Sequence, residues 1–167
     1  MFIELQTKRL VIKKPQIKDK KKLITELNNW EVVKWLTKVP FPYSDKDADN
    51  WINFLTVDNL QFNIFLSNNL IGGVGLRKNE HLIDELGYWL GEKYWGNGYI
   101  PEVCSELLNY INKELKINKI QAGYIVGNVR SAKVLEKLGF NEIGKGSIFS
   151  LSRQEQMQDI KLELKKI

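Results

Sequence analysis

The stretch Trp95-Gly96-Asn97-Gly98-Tyr99-Ile100-Pro101 carries two closely spaced glycines and a proline, directly after the apolar run Leu86 to Leu90. Glycines at 96 and 98 let the backbone approach a ligand without side-chain obstruction. The first N–H groups of a helix lack intrahelical partners and sit at the positive end of its dipole, so a strand, a glycine turn and a helix in succession would cradle a phosphate. The spacing puts Pro101 at the first helical position. It puts Val103, Leu107, Leu108, Ile111 and Leu115 on the inward face, with Glu102, Glu106, Asn109, Asn112 and Lys113 off it. A plain strand-to-helix connector would use the same residues, so the turn needs company to mean more.

Two other phosphate motifs fit poorly. A dinucleotide fingerprint wants a third small residue where Pro101 stands and an acidic residue about 20 positions on, where the chain reads Ile117-Asn118-Lys119-Ile120. A Walker loop wants Gly-Lys-Ser/Thr before a helix, and Gly144-Lys145-Gly146-Ser147 has the wrong order. Thiol chemistry would pair Cys104 with His81, but Cys104 falls on the inner side of a helix and His81 in a polar turn, which reads as a packing thiol. One cysteine and one histidine form no metal cluster of usual spacing, and no metal is expected.

The elements that must position the turn follow from periodicity and punctuation. A first strand is expected over Ile3 to Lys13, a helix from Asp19 as N-cap to about Asn28, and a short helix over Trp30 to Leu36 closed by Pro40-Phe41-Pro42. Ser44 with Asp47 resembles a capping box, opening a helix whose inward face is Ala48, Trp51, Ile52 and Leu55. Gln61 to Ser67 and Leu70 to Arg77 read as a hairpin turning at Asn68-Asn69, and Glu85 to Leu90 as the next strand. Lys119 to Val126 reads as a buried strand and Arg130 to Leu138 as a helix ended by Gly139. Phe140 to Leu151 and Met157 to Lys165 read as closing strands. This is an α+β layout.

At 167 residues, 43% hydrophobic and 27% charged, with no linker-like stretch or repeat, the chain reads as a single domain over residues 1–167. No signal peptide and no bilayer-length apolar run is seen, so a cytoplasmic protein with no membrane association is expected. The formal net charge is +5, but lysines are interspersed with acids, and the run Lys18-Asp19-Lys20-Lys21-Lys22 backs onto Leu23, Ile24 and Leu27. That is a solvated helix face, and no nucleic-acid partner is expected. A homodimer is left open.

Three blocks, in order and at this spacing, carry a resemblance: Glu85-Leu86-Gly87-Tyr88-Trp89-Leu90, the glycine turn, and Asn128 to Phe140, with Asn128, Ser131, Leu138 and Gly139 at its marked positions. Together they resemble the GNAT superfamily of N-acetyltransferases, RimJ/RimL-like branch, whose first strand the opening Leu5-Gln6-Thr7-Lys8-Arg9-Leu10-Val11-Ile12 also resembles. The resemblance implies a mixed, mainly antiparallel sheet of about seven strands flanked by helices and splayed between strands 4 and 5. It implies acetyl-CoA as co-substrate, its pyrophosphate on the backbone of Trp95, Gly96, Asn97, Gly98, Tyr99 and Ile100. The open edge of Trp89 and Leu90 would pair with pantetheine, the Leu90 amide facing the thioester oxygen. Trp95 and Ile100 depart from the usual Gln/Arg and Gly/Ala ends of the turn, though both keep their N–H groups.

By the same resemblance Asn128 would bind pantetheine and Ser131 would protonate the departing thiolate, although both residue types also cap helices. Of Arg130, Lys133 and Lys137, Lys133 is taken for the 3′-phosphate. Glu85 is the candidate general base or a cross-strand partner, with Tyr88 and Tyr124 as alternative polar groups. The ribosomal branch implicates a carboxylate where Ser150 stands here. The acceptor, a protein N-terminus or a small amine, would meet the segment Trp30 to Trp51 and the loop after Ser150, where aromatic side chains could stack on a cation. A non-catalytic acyl-CoA-binding regulatory module is the competing reading.

Overall fold

Why the chain splays open at one point is written in its strand order. A computed structural model describes residues 4–54 and 60–165. The strands are β1 (Glu4–Gln6), β2 (Val11–Lys13), β3 (Gln61–Leu66), β4 (Asn69–Lys78), β5 (Asp84–Leu90), β6 (Lys119–Ile125), β7 (Asn141–Ser150) and β8 (Glu155–Lys165). They form one sheet in the order β1-β2-β3-β4-β5-β6-β8-β7. Neighbours are antiparallel except β5 and β6, which run parallel and pair only at Glu85–Gln121 and Leu86–Ala122. Past Leu86 and Ala122 the two strands part. The expected splay between strands 4 and 5 is this one, renumbered because the first strand is two.

That division has a local cause. Thr7 donates its amide to the Leu10 carbonyl (2.9 Å) and accepts the Leu10 amide on its hydroxyl (2.9 Å), folding the expected strand into the hairpin β1–β2. Ile3, its expected start, lies outside the described residues. The other hairpin turns at Ser67 and Asn68, both at positive φ, rather than at Asn68-Asn69. Pairing Phe65 with Leu70 buries both side chains, which pulls Asn69 into the strand opposite Leu66.

Helices α1 (Lys20–Leu27), α2 (Trp30–Val33) and α3 (Asp45–Phe54) precede β3, α4 (Tyr99–Tyr110) follows β5, and α5 (Val129–Lys137) follows β6. Ser44 and Asp47 exchange bonds at the start of α3, the Ser44 amide to Asp47 Oδ2 at 2.8 Å and the Asp47 amide to Ser44 Oγ at 3.2 Å; Leu55 lies outside the described residues. Asp19 stands at the N-cap of α1, yet its carboxylate accepts from the Gln16 amide (2.9 Å) and Asn63 Nδ2 (3.0 Å) rather than from the helix.

Helices α4 and α5 cover one face of the sheet, where Val103, Cys104, Leu107, Ile111 and Leu135 pack with Phe62, Ile64, Val74, Leu86, Leu90 and Ile120. Helices α1 and α3 cover the other through smaller clusters around Leu23, Phe65 and Leu70 and around Leu27, Tyr43 and Ala48. Leu115, expected on the inner face, is exposed because α4 ends in a π-helical turn, Ile111–Leu115, which shifts the helical register.

Candidate active site

Helix α4 begins earlier than its proline suggested. Gly98, at φ 74°, is the N-cap, so Tyr99 and Ile100 open the helix and Pro101 is its third residue, still within the first turn where no acceptor awaits an N–H. Gly96 is also at positive φ, 78°, a conformation that a β-branched residue resists. The loop is tied down from within: Asn97 Nδ2 donates to the carbonyls of Tyr94 (3.0 Å) and Trp95 (3.1 Å). From outside, Glu102 in the first turn accepts from Thr7 Oγ1 (2.5 Å) and from the amide (2.9 Å) and Nε (2.7 Å) of Arg9, whose guanidinium lies 4.6 Å from the Tyr99 ring centre. The amides at the start of α4 are held as a fixed, positive concavity.

The open edge of β5 faces this concavity. Gly91 donates its amide to the Ile71 carbonyl (2.8 Å), so antiparallel alternation turns the amides and carbonyls of Gly87 and Trp89 toward β4 and those of Tyr88 and Leu90 toward the gap. Trp89 is therefore not an edge residue, contrary to expectation; its ring packs against the Leu23 and Leu27 clusters on the far face. The Leu90 carbonyl already accepts the Trp95 indole N–H (2.8 Å), which leaves the Leu90 amide, beside the backbone groups of Tyr88, turned to the gap. The Trp95 ring in turn carries the Arg130 guanidinium at 3.8 Å from its centre.

On the α4/α5 face of the gap, the Tyr88 hydroxyl meets Ser131 Oγ at 2.8 Å. Burial pushes the Tyr88 hydroxyl above its ordinary pKa and the Ser131 bond pulls it part of the way back, so it is neutral at physiological pH. Asn128 caps α5, accepting the Ser131 amide on Oδ1 (3.2 Å), and thereby fixes where Ser131 points. Tyr124 lies on the same face, half-buried against this core.

The opposite face of the gap is floored by Gly87 and Gly123, the first residues of β5 and β6 beyond their last pair. A Cβ on Gly87 would meet nothing within 4 Å. Two carboxylates stand beside this floor: Glu85, bonded to Arg77 (3.2 Å), and Asp159 on β8, whose Oδ2 is 3.8 Å from where a Gly123 Cβ would stand. Asp159 escaped the sequence reading. It shares a face of β8 with Met157, Lys161 and Glu163, and only the fold brings it beside Gly123.

This geometry, a splayed parallel pair with a helix N-terminus at its mouth, can be set beside known proteins. The model of the acetyltransferase (GNAT) domain matches residues 9–141. The chain belongs to the GNAT family of acetyltransferases. Over 148 residues, 84% of this chain and 83% of the relative, it is 30% identical to the uncharacterized N-acetyltransferase p20 of Bacillus licheniformis. A shorter match, 36% identical over 59 residues, covers 35% of this chain and 30% of the ribosomal protein uS5-alanine N-acetyltransferase of Escherichia coli K12, in line with a RimJ/RimL-like branch. The fold superposes on a GNAT-family acetyltransferase from Bacillus anthracis with a TM-score of 0.84 at 23% identity, covering 98% of both chains.

In this GNAT protein the remaining candidates are distributed unevenly. Lys133 is exposed on α5 with no ion pair among the described residues, whereas Arg130 sits at the rim of the glycine turn on Trp95. Ser150 is fully buried, in contact with Ser152 Oγ (3.2 Å) and accepting the Arg153 amide (3.3 Å), so it shapes a turn. That turn docks on the end of α2 and the segment after it: Leu151 donates to the Thr37 carbonyl (2.9 Å) and Ser152 to that of Val33 (3.1 Å). The aromatic wall there already holds a cation, with Arg153 5.7 Å from the ring centres of both Trp30 and Trp35. Cys104 is fully buried and its thiol is pushed up by that burial, while His81 lies in the exposed turn before β5.

Proposed function

We propose that this chain transfers an acetyl group from acetyl-CoA to a primary amine by direct attack of the amine on the thioester. The observation that carries this reading is the cleft itself, where the N-terminus of α4, the free Leu90 amide and the Tyr88–Ser131 hydroxyl pair open onto one gap. The amides of Gly96 to Ile100 would take the pyrophosphate, with Arg130 beside them, and Asn128 would meet pantetheine in addition to capping α5. The thioester supplies an electrophilic carbonyl. The Leu90 amide would stabilise negative charge on its oxygen, and neutral Tyr88 and Ser131 would pass a proton to the leaving sulfur.

A purely binding module would need the cradle but not the hydroxyl pair. Acetyl-CoA at millimolar concentration is expected to raise the melting temperature, adenosine far less, because ligand that binds only the folded state stabilises it by mass action. Thiol release with a panel of primary amines (spermidine, lysine, a peptide with a free N-terminus) then separates enzyme from binder. A flat melting curve removes the cofactor assignment; a shift without thiol release leaves the regulatory reading.

A further inference from the structure

Four carboxylates are buried in the described part of the chain, and three of them are well served. Asp19 accepts from Gln16 and Asn63; Glu26 lies 2.6 Å from Lys22; Glu163 is met by Lys119 at 2.9 Å and by Gln121 at 3.2 Å. Asp159 differs. It is 6% exposed, and its Oδ1 has no hydrogen-bond partner among the described residues. A buried carboxylate oxygen left bare is costly, which makes such a group a candidate for binding or chemistry.

Its surroundings say what it could receive. Asp159 lines a pocket of about 250 Å³ with Val126, Lys145, Gly146 and Gln158. It pairs across the sheet with Ile125 and stands over Gly123, where β6 leaves β5, on the face opposite Tyr88 and Ser131. The charged groups around it are Lys161 on its own strand, Lys145 across the pocket on β7, and Glu85 on β5. Glu85 is engaged by Arg77 through Oε1, whereas Asp159 turns Oδ2 toward Gly123 at the gap and its unpartnered Oδ1 toward Gly146 on β7.

We propose that Asp159 is the catalytic residue that receives the acceptor's primary ammonium and takes its proton. The proposal rests on the acetyl-transfer reading above and adds the group that reading lacks. The ammonium gives one proton to the Asp159 carboxylate. The neutral nitrogen then attacks the thioester carbonyl, the C–N bond forms and the C–S bond breaks. The sulfur takes a proton from the Tyr88–Ser131 pair, which the nitrogen's second proton restores. Asp159 returns its proton to solvent, so one proton is released per amide and thiol formed. Base and acid thus stand on opposite faces of the sheet. Desolvation raises the carboxyl above the usual aspartate range, with Lys161 and the residue's own backbone amide opposing the rise and Glu85 adding to it, which brings it closer to the basicity that an amine proton requires.

The test compares Asp159→Asn and Glu85→Gln with the unaltered chain, using thiol release over the amine panel, kcat/KM against pH, and melting temperature with and without acetyl-CoA. Asp159→Asn is expected to lose roughly 10²-fold or more in kcat/KM and the acidic limb of the profile. It should keep the acetyl-CoA shift and melt higher than the unaltered chain at pH 7 to 8. The sign of that last effect follows from the raised pKa: stability from this group is present below its unfolded pKa and is lost as pH rises through the folded value, so removing the charge helps at neutral pH. Activity within threefold of the unaltered chain, a larger loss in Glu85→Gln, or a lowered melting temperature with the pH profile intact would each overturn the assignment. If the unaltered chain consumes no amine while acetyl-CoA still raises its melting temperature, the acetyl-transfer reading fails and takes Asp159 with it. Turnover that survives Asp159→Asn sinks the Asp159 assignment alone.

Discussion

The two faces of the sheet meet at one gap between β5 and β6, yet they are finished in opposite ways. Under α4 and α5 the polar side chains are engaged: Tyr88 bonds Ser131, Asn128 caps the helix that carries Ser131, and Trp95 closes off the Leu90 carbonyl. Toward α1 to α3 the floor is glycine, and the Asp159 carboxylate is buried with one oxygen that no group among the described residues meets. A preorganised face suits a large co-substrate that is always the same molecule. An unfinished face suits an acceptor that completes the site by arriving.

The largest effect that could break this contrast is at the cradle. Gly98→Val places a β-branched residue at φ 74° at the N-cap of α4, and acetyl-CoA affinity measured by calorimetry is expected to fall by roughly 10²-fold or more. Normal binding by a folded variant would reduce the turn to a connector.

A smaller and more diagnostic loss is expected at the hydroxyl pair. Ser131→Ala and Tyr88→Phe should each lower kcat by roughly 10²-fold with little change in acetyl-CoA affinity. Because the two hydroxyls are in direct contact and serve one proton, the double variant should be scarcely worse than either single one. Additive losses would mean separate roles.

The mildest expectation concerns the clasp behind the cradle. Burial raises the Glu102 carboxyl, but Thr7 and Arg9 outweigh it and hold the net value below the usual glutamate range. A depressed pKa contributes stability above the unfolded value that fades as pH falls through the folded one. Glu102→Gln should therefore cost about 1 kcal/mol at pH 7, as a partly exposed ion pair does, and the gap to the unaltered chain should narrow in acid. A gap that is flat with pH would assign the contribution to packing.

The cradle was legible because every part of it is contiguous: two glycines, a helix start and an apolar face lie within twenty residues, and their meaning depends on backbone geometry alone. Asn128 and Ser131 were legible as a helix start from their residue types, and as site candidates through the family resemblance. The errors were local competitions that propensity does not weigh. Thr7 folded one strand into two, the Phe65–Leu70 pair moved a turn by a residue, and a π-helical turn rotated Leu115 to the surface.

The sequence by itself determined the α+β layout, the glycine turn before α4 and the helix that presents Ser131, since these are set by periodicity and by residues adjacent in the chain. Only the tertiary structure decided which backbone groups face the gap, that Trp89 points away from it, that Arg153 occupies the aromatic wall, and that Asp159 stands beside Gly123. Each of these depends on strand register or on segments far apart in sequence: β6 and β8 bring Gly123 and Asp159 together only because strand order places the last strand beside the sixth. A one-residue slip in register would turn Asp159 to the opposite face, and composition carries no record of that choice.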